Sequence, residues 1–141
     1  MLQLQHARRW QMGSVFLLLV VLAATLMPVV WFWSGKVEML IWIASIDKWI
    51  HGFTFLVLTV WFAGQYRPLS YWRVTVGLLA FGLIIEICQR MVSYRTADWL
   101  DVAADAAGIS IGIAVAIAGA GGWCLRVEDW FHRRSTGANI D

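Results

Sequence analysis

Charge is what this chain has least of. Only 14% of its 141 residues are Asp, Glu, Lys or Arg, while 60% are hydrophobic. A soluble domain carries about a quarter charged residues. The shortage therefore excludes an ordinary water-solvated core, and a mean hydropathy of +0.68 points to lipid as the solvent. Cysteine is also scarce, with Cys88 and Cys124 near opposite ends of different apolar runs. A bridge needs Cα atoms within about 7 Å, so no disulfide framework is expected. The net charge is only +2 and the basic residues form no stripe, which argues against nucleic acid as a partner. No internal repeat or low-complexity tract is present, and the length suits one compact domain.

What the chain does have is apolar runs. Ser14 to Trp33 has about the twenty residues a membrane helix needs, with Pro28 tolerated as a kink. Arg8 and Arg9 precede it, so a signal peptide is the rival reading. The run is longer than a signal core of about 7–15 residues and has no clear small-residue cleavage site, so an uncleaved helix is expected. Trp49 to Gly64 is the second run, extendable through Lys48, whose stem can snorkel. Trp72 to Ile87 is the third, prolonged by Cys88 and Gln89. Val102 to Leu125 is the fourth, rich in the small residues that pack helices in lipid. Val37 to Ile46 is apolar but too short to span, so it is expected to lie in the interface. The sequence thus describes an all-α membrane protein of four transmembrane helices, with a short interfacial segment between the first two. Residues 1–13 form an N-terminal segment, 14–125 the membrane domain and 126–141 a juxtamembrane helical tail.

The basic residues orient it. An inside N-terminus puts Arg8, Arg9, Arg67, Arg73, Arg126, Arg133 and Arg134 in the cytoplasm and leaves Lys36, Lys48, Arg90 and Arg95 outside. That matches the positive-inside rule, with both termini inside. The tryptophans fall at span ends, as aromatic belts require. Trp31, Trp33, Trp42, Trp49 and Trp99 mark one face; Trp10, Trp61, Trp72, Trp123 and Trp130 mark the other. His6 and His132 read as solvated surface residues.

The few remaining charges concentrate at the extracytoplasmic ends of three spans. Asp47 and His51 are four apart and share a helix face, where an aspartate can orient an imidazole. The plainer alternative is a helix start, with Asp47 on the dipole and Lys48 snorkelling. Glu86 and Gln89 share a face of the third span, with Gly82 a turn deeper leaving room for another backbone. A glutamate at that depth needs a partner, either a ligand or a structural Lys48, His51, Arg90 or Arg95. Asp98, Asp101, Asp105, Gly108 and Gly112 follow steps of three and four, one stripe along the fourth helix. Gly108 and Gly112 form a Gly-x-x-x-Gly contact. Asp98 also suits an N-cap. Asp105 does not, and the acidic stripe calls for Arg95, Lys48, a proton or a divalent cation.

The order Asp47-Lys48-x-x-His51, Glu86-x-x-Gln89, Arg95-x-x-Asp98-x-x-Asp101 and then Gly108 resembles the VanZ-like family across roughly Trp31 to Ile117. Those are small bacterial membrane proteins named after a teicoplanin-resistance determinant. The resemblance implies a role at the cell envelope and brings no agreed enzymatic mechanism. One position departs from the pattern. The family usually carries asparagine where this chain has Asp105, which as an ionised carboxylate accepts hydrogen bonds and donates none.

Two functions compete at this stage. The first is a non-enzymatic envelope protein whose outer polar pocket binds a cell-wall precursor, a lipid headgroup or a partner membrane protein; it expects no cofactor. The second is a membrane-embedded enzyme on a lipid-linked phosphate or peptide, with Asp98, Asp101 and Asp105 on a divalent metal and His51 or Glu86 as base. The Asp101-x-x-x-Asp105 spacing is similar to that of lipid phosphotransferases, but the rest of that motif is missing. The first reading is preferred. A proton or ion pathway fits poorly, because the inner halves of the spans are nearly all apolar.

Overall fold

A computed structural model describes residues 2–27, 37–91 and 99–137, with side chains over 2–27, 48–91 and 99–134. Five helices follow one another: α1 (Ala7–Leu26), α2 (Val37–Ala63), α3 (Tyr71–Arg90), α4 (Trp99–Val115) and α5 (Trp123–Gly137). A 3-10 turn at Pro68–Ser70 leads into α3, and a π turn at Ala116–Ala120 prolongs α4. No strand occurs among the described residues. Three of these segments are long and apolar enough to cross a membrane: Ala7–Leu26, Pro68–Arg90 and Trp99–Arg134. Lys48–Ala63 is a shorter apolar helix.

Helix boundaries differ from the sequence expectation in three places, each with a local cause. The first helix begins seven residues early and stops at Leu26. Met27 turns extended at φ −74°, ψ 131°, because the residue before a proline is pushed out of the α region. The helix therefore ends ahead of Pro28, which itself lies outside the described residues. Val37 to Ile46 is not a separate element either, since its backbone runs without a break into α2. The fourth helix does not reach Leu125. Gly119 adopts φ 131° and Gly122 φ 67°, values that only glycine takes cheaply. Between them the chain turns away and restarts as α5, the tail helix expected from the sequence.

The helices alternate in direction. At one end, Trp10 of α1 meets Trp123 of α5 edge-on at 5.4 Å, and Trp61 of α2 lies 5.8 Å from Trp10 and 5.5 Å from Trp123. Three of the expected belt tryptophans thus pack on one another. Gln65, fully buried, donates from Nε2 to Ser14 Oγ at 2.9 Å, and Trp61 Nε1 donates to the same oxygen at 3.0 Å. Gly122 N donates to Ala63 O at 3.1 Å, which ties the turn after α4 to the end of α2.

Apolar packing in the bundle centre comes from Phe55, Leu58, Val74, Leu78, Ile85 and Ile109. The outer surface is unusually apolar: Phe16, Phe53, Trp72 and Ile117 are each more than 60% exposed. Meanwhile His51, Thr59, Gln65, Glu86, Gln89, Asp101 and Asp105 are buried. Large apolar side chains outside and ionisable groups inside suit a bilayer, where lipid covers the former and the bundle shelters the latter.

The closest approach is between α2 and α4. A side chain at Gly108 would collide with the carbonyl oxygen of Gly52, and one at Gly112 would sit 2.6 Å from Thr59 Cβ. The Gly-x-x-x-Gly pair therefore packs on α2 as expected, against a third glycine, Gly52, that the sequence reading passed over. Gly77, by contrast, has nothing within 4 Å of a notional Cβ. Gly108→Ala should lower detergent-solubilised stability by about 1–3 kcal/mol, the usual cost of overpacking. Gly77→Ala should leave the thermal midpoint unchanged or raise it. Equal midpoints for the two variants would rule out the close α2–α4 contact.

The two ends of the chain are also fastened together. Glu128 of α5 accepts from Gln5 N at 2.8 Å, His6 N at 3.0 Å and Trp10 Nε1 at 2.9 Å. Partial burial alone would raise its pKa, but these donors outweigh that and hold the carboxyl below the ordinary glutamate range. A depressed folded pKa stabilises the fold above the unfolded value and loses that contribution as pH falls through the folded one. Acidification below the ordinary glutamate range should therefore release the N-terminal segment, visible as a shift in tryptophan emission as Trp10 loses its partner. In Glu128→Ala that acid step should be absent, and an identical step in both proteins would place its origin elsewhere.

Candidate functional site

At the opposite end of the bundle, α2, α3 and α4 each turn a polar face inward. Buried positions on α3 run Tyr71, Val74, Leu78, Gly82, Ile85, Glu86 and Gln89, the three-and-four spacing of one helix face. On α4 they run Asp101, Asp105, Gly108, Ile109 and Gly112. This is the acidic and glycine stripe expected from the sequence, and it is buried along its described length. His51 enters from α2, one residue before Gly52, so the glycine contact brings its ring alongside α4.

The central contact is His51 Nδ1 to Asp105 Oδ1 at 3.0 Å, with both side chains about 3% exposed. The aspartate that bonds this imidazole nitrogen comes from another helix, 54 residues along the chain from His51, and the side chain of the expected i, i+4 partner Asp47 lies outside the described residues. Asp105 is held from the other side by the absence of a side chain at Gly82, where a Cβ would stand 2.7 Å from Oδ2. Gly82 was expected to admit a neighbouring backbone; it admits a carboxylate. With Nδ1 donating to Asp105, Nε2 becomes the basic nitrogen of a neutral ring.

Glu86 lies within electrostatic reach of Asp101, Arg90, His51 and Asp105. Its Oε1 is buried and has no hydrogen-bond partner among the described residues. A buried carboxylate oxygen left unbonded is costly, so such an atom marks a place where a donor or cation belongs. Asp101 is buried beside it. Gln89 is buried too, but it works between helices, donating from Nε2 to Thr25 O of α1 at 3.2 Å. Arg90 is exposed and rests over the Trp99 ring at 5.4 Å.

The expected cluster is therefore assembled in large part. His51, Glu86, Asp101 and Asp105 come together, Gln89 closes the α1 side, and Lys48 is half-buried on α2. The side chain of Asp47, and Arg95 and Asp98 altogether, lie outside the described residues. Among the described residues no three His, Cys, Asp or Glu side chains converge closely enough to hold a metal, and of the three expected metal ligands Asp98 is one of those not described. Cys88 and Cys124 are both free thiols.

Sequence reasoning missed two contributors. Gly52 carried a signal, since it follows His51 in a run otherwise made of large residues. Thr59, fully buried and donating to Phe55 O at 2.6 Å, fills the space beside Gly112 and had no signal beyond its polarity.

A bundle of apolar-surfaced helices with an ionisable interior is the architecture of a multi-pass membrane protein. Over residues 3–120 the chain matches the VanZ/LLP1 family, and with most of its length in that match it belongs to that family. No curated protein and no solved structure matches it.

Because His51 Nδ1 and Asp105 Oδ1 meet in a buried setting, removing either one takes from the other a hydrogen-bond partner that water cannot replace. His51→Ala and Asp105→Ala should each cost about 3–5 kcal/mol. The double variant should cost far less than the two together, and Asp105→Asn, which keeps an acceptor, should cost less than Asp105→Ala. Additive losses in thermal unfolding would show that the two residues do not act as a pair.

Proposed function

We propose that this VanZ-family protein sits in the bacterial cytoplasmic membrane with both termini inside, and that its polar cluster opens to the extracytoplasmic side. There it binds a cell-wall precursor or a lipid headgroup, and in that way influences tolerance of teicoplanin-type glycopeptides. The observation that carries this reading is the unbonded, buried oxygen of Glu86 beside Asp101 and the His51–Asp105 pair. An ammonium or hydroxyl group of a ligand satisfies that oxygen. Lys48, Arg90 and Arg95 are the groups that would meet a phosphate on the same molecule. The seven arginines at the other end favour the proposed orientation, since basic residues are retained in the cytoplasm.

A second reading draws support from the His51–Asp105 contact. An imidazole oriented by a carboxylate is a general base, so a membrane-embedded enzyme on a lipid-linked phosphate or peptide is the alternative. On this reading Asp105 positions His51, and Asp101, with Asp98, supplies the acidic ligands for a divalent ion.

Single cysteines at Met91 and Asp129, in a background lacking Cys88 and Cys124, should react differently with a membrane-impermeant maleimide on intact cells. Met91→Cys is expected to label and Asp129→Cys to stay protected; the reverse pattern would invert the topology. A deletion strain and strains carrying Glu86→Ala or Asp101→Ala should be more susceptible to teicoplanin than the parent. Unchanged susceptibility in all three would remove the glycopeptide role. Turnover of a lipid-linked substrate by the purified protein, abolished in His51→Gln, would replace the binding reading with the enzymatic one.

A further inference from the structure

A second site lies at the terminal end of the bundle, away from the polar cluster. An open groove of ≈ 720 Å³ runs between the start of α1, the end of α2 and α5. Its rim carries His6, Arg9 and His132; its walls are Trp10, Trp61 and Phe131. Gly13 lies one helical turn beyond Arg9 on α1 and contributes no side chain, so the groove continues past the basic rim toward Trp61. A notional Cβ there would already be 3.5 Å from Trp61 Cζ2, and anything longer would enter the groove.

The lining combines basic with aromatic side chains. Glu128 also lines it, but its oxygens accept from three donors of the N-terminal segment and Oε1 lies 3.6 Å from His6 Nδ1, so it is engaged by that segment. The flanking surface points the same way. α5 exposes Trp130 and Phe131, with the Arg134 guanidinium 3.9 Å from the Trp130 ring centroid. A helix with exposed aromatics among arginines belongs in the headgroup layer of an anionic bilayer. The bundle's apolar surface already places lipid beside it.

We propose that this groove binds an anionic phospholipid, with the phosphate at the His6–Arg9–His132 rim and an acyl chain along Gly13 and Trp61. The occupant is amphipathic because the groove is: a free phosphate would leave the aromatic side chains unused, and a zwitterionic lipid would bring its ammonium among Arg9 and the arginines of α5.

The test uses the full chain in nanodiscs of equal phosphatidylglycerol and phosphatidylcholine, with retained lipid read by native mass spectrometry after release into neutral detergent. Phosphatidylglycerol should be retained in preference. Combining Arg9→Gln with His132→Gln should lower its retention by about fivefold or more, the scale expected for basic contacts at a membrane surface. Arg67→Gln, which removes one charge at the same end outside the groove, should leave retention intact. Equal retention of both lipids, or an equal loss in Arg67→Gln, would overturn the proposal in favour of general charge attraction. Displacement of the lipid by excess inorganic phosphate would overturn it in favour of a simple anion site. Should the double variant alter tryptophan emission and so prove misfolded, Gly13→Leu decides: the filled groove should lose the lipid, and undiminished retention would refute the site.

Discussion

The approach of α2 to α4 across Gly52 and Gly108 is the constraint on which the rest of the molecule rests. A methyl group at Gly108 would collide with the Gly52 carbonyl, so the two backbones are in contact with nothing between them. In lipid there is no apolar driving force to hold two helices together, and packing of this closeness with polar contacts takes its place. The same approach allows His51, beside Gly52, to reach Asp105, one turn from Gly108, at 3.0 Å. Glycine and charge are therefore not separate features of this bundle. The bare stripe sets the distance at which the polar pair forms, and the pair gives a helix contact that hydrocarbon alone would leave weak.

Asp105 takes on a definite meaning from this geometry. Seen as a carboxylate where the family pattern has an amide, it looked like surplus negative charge seeking a metal or a proton. One of its oxygens is bonded from within the chain by the ring across the helix boundary, and Gly82 provides the space for the second. Among the described residues it is instead Glu86, three residues before the glutamine that fastens α3 to α1, that keeps a buried oxygen without a hydrogen-bond partner. The site separates into a closed pair and an open acid, and it is the open acid that recommends the cluster for binding.

Much of this was legible in the sequence. The long apolar runs announced the helices, and the three-and-four spacing from Asp101 to Gly112 announced the buried stripe, because both are local patterns with a single physical cause. Boundaries were less legible where two local rules competed. Pro28 was granted a membrane helix's tolerance, when the pre-proline restriction on Met27 prevailed. The run from Gly119 to Gly122 was counted as apolar length, when its positive φ angles end the helix. Long-range pairings were not legible at all. Nothing in the local sequence links Glu128 with Gln5, or Asp105 with His51, since such choices are made by how the helices face one another.

The length of α2 has a consequence for how the polar pair is reached. From His51 to Ala63 is twelve residues, about 18 Å at 1.5 Å per residue. His51 is therefore well removed from the end of the bundle where Ala63 is tied to the turn after α4, and its side chain is only about 3% exposed. The pair is thus a buried floor and not a surface patch. Glu86, close to the last turn of α3, stands nearer the mouth. In the proposed binding role a bulky ligand would meet the glutamate before the imidazole, and the burial of the pair would itself filter what the site admits.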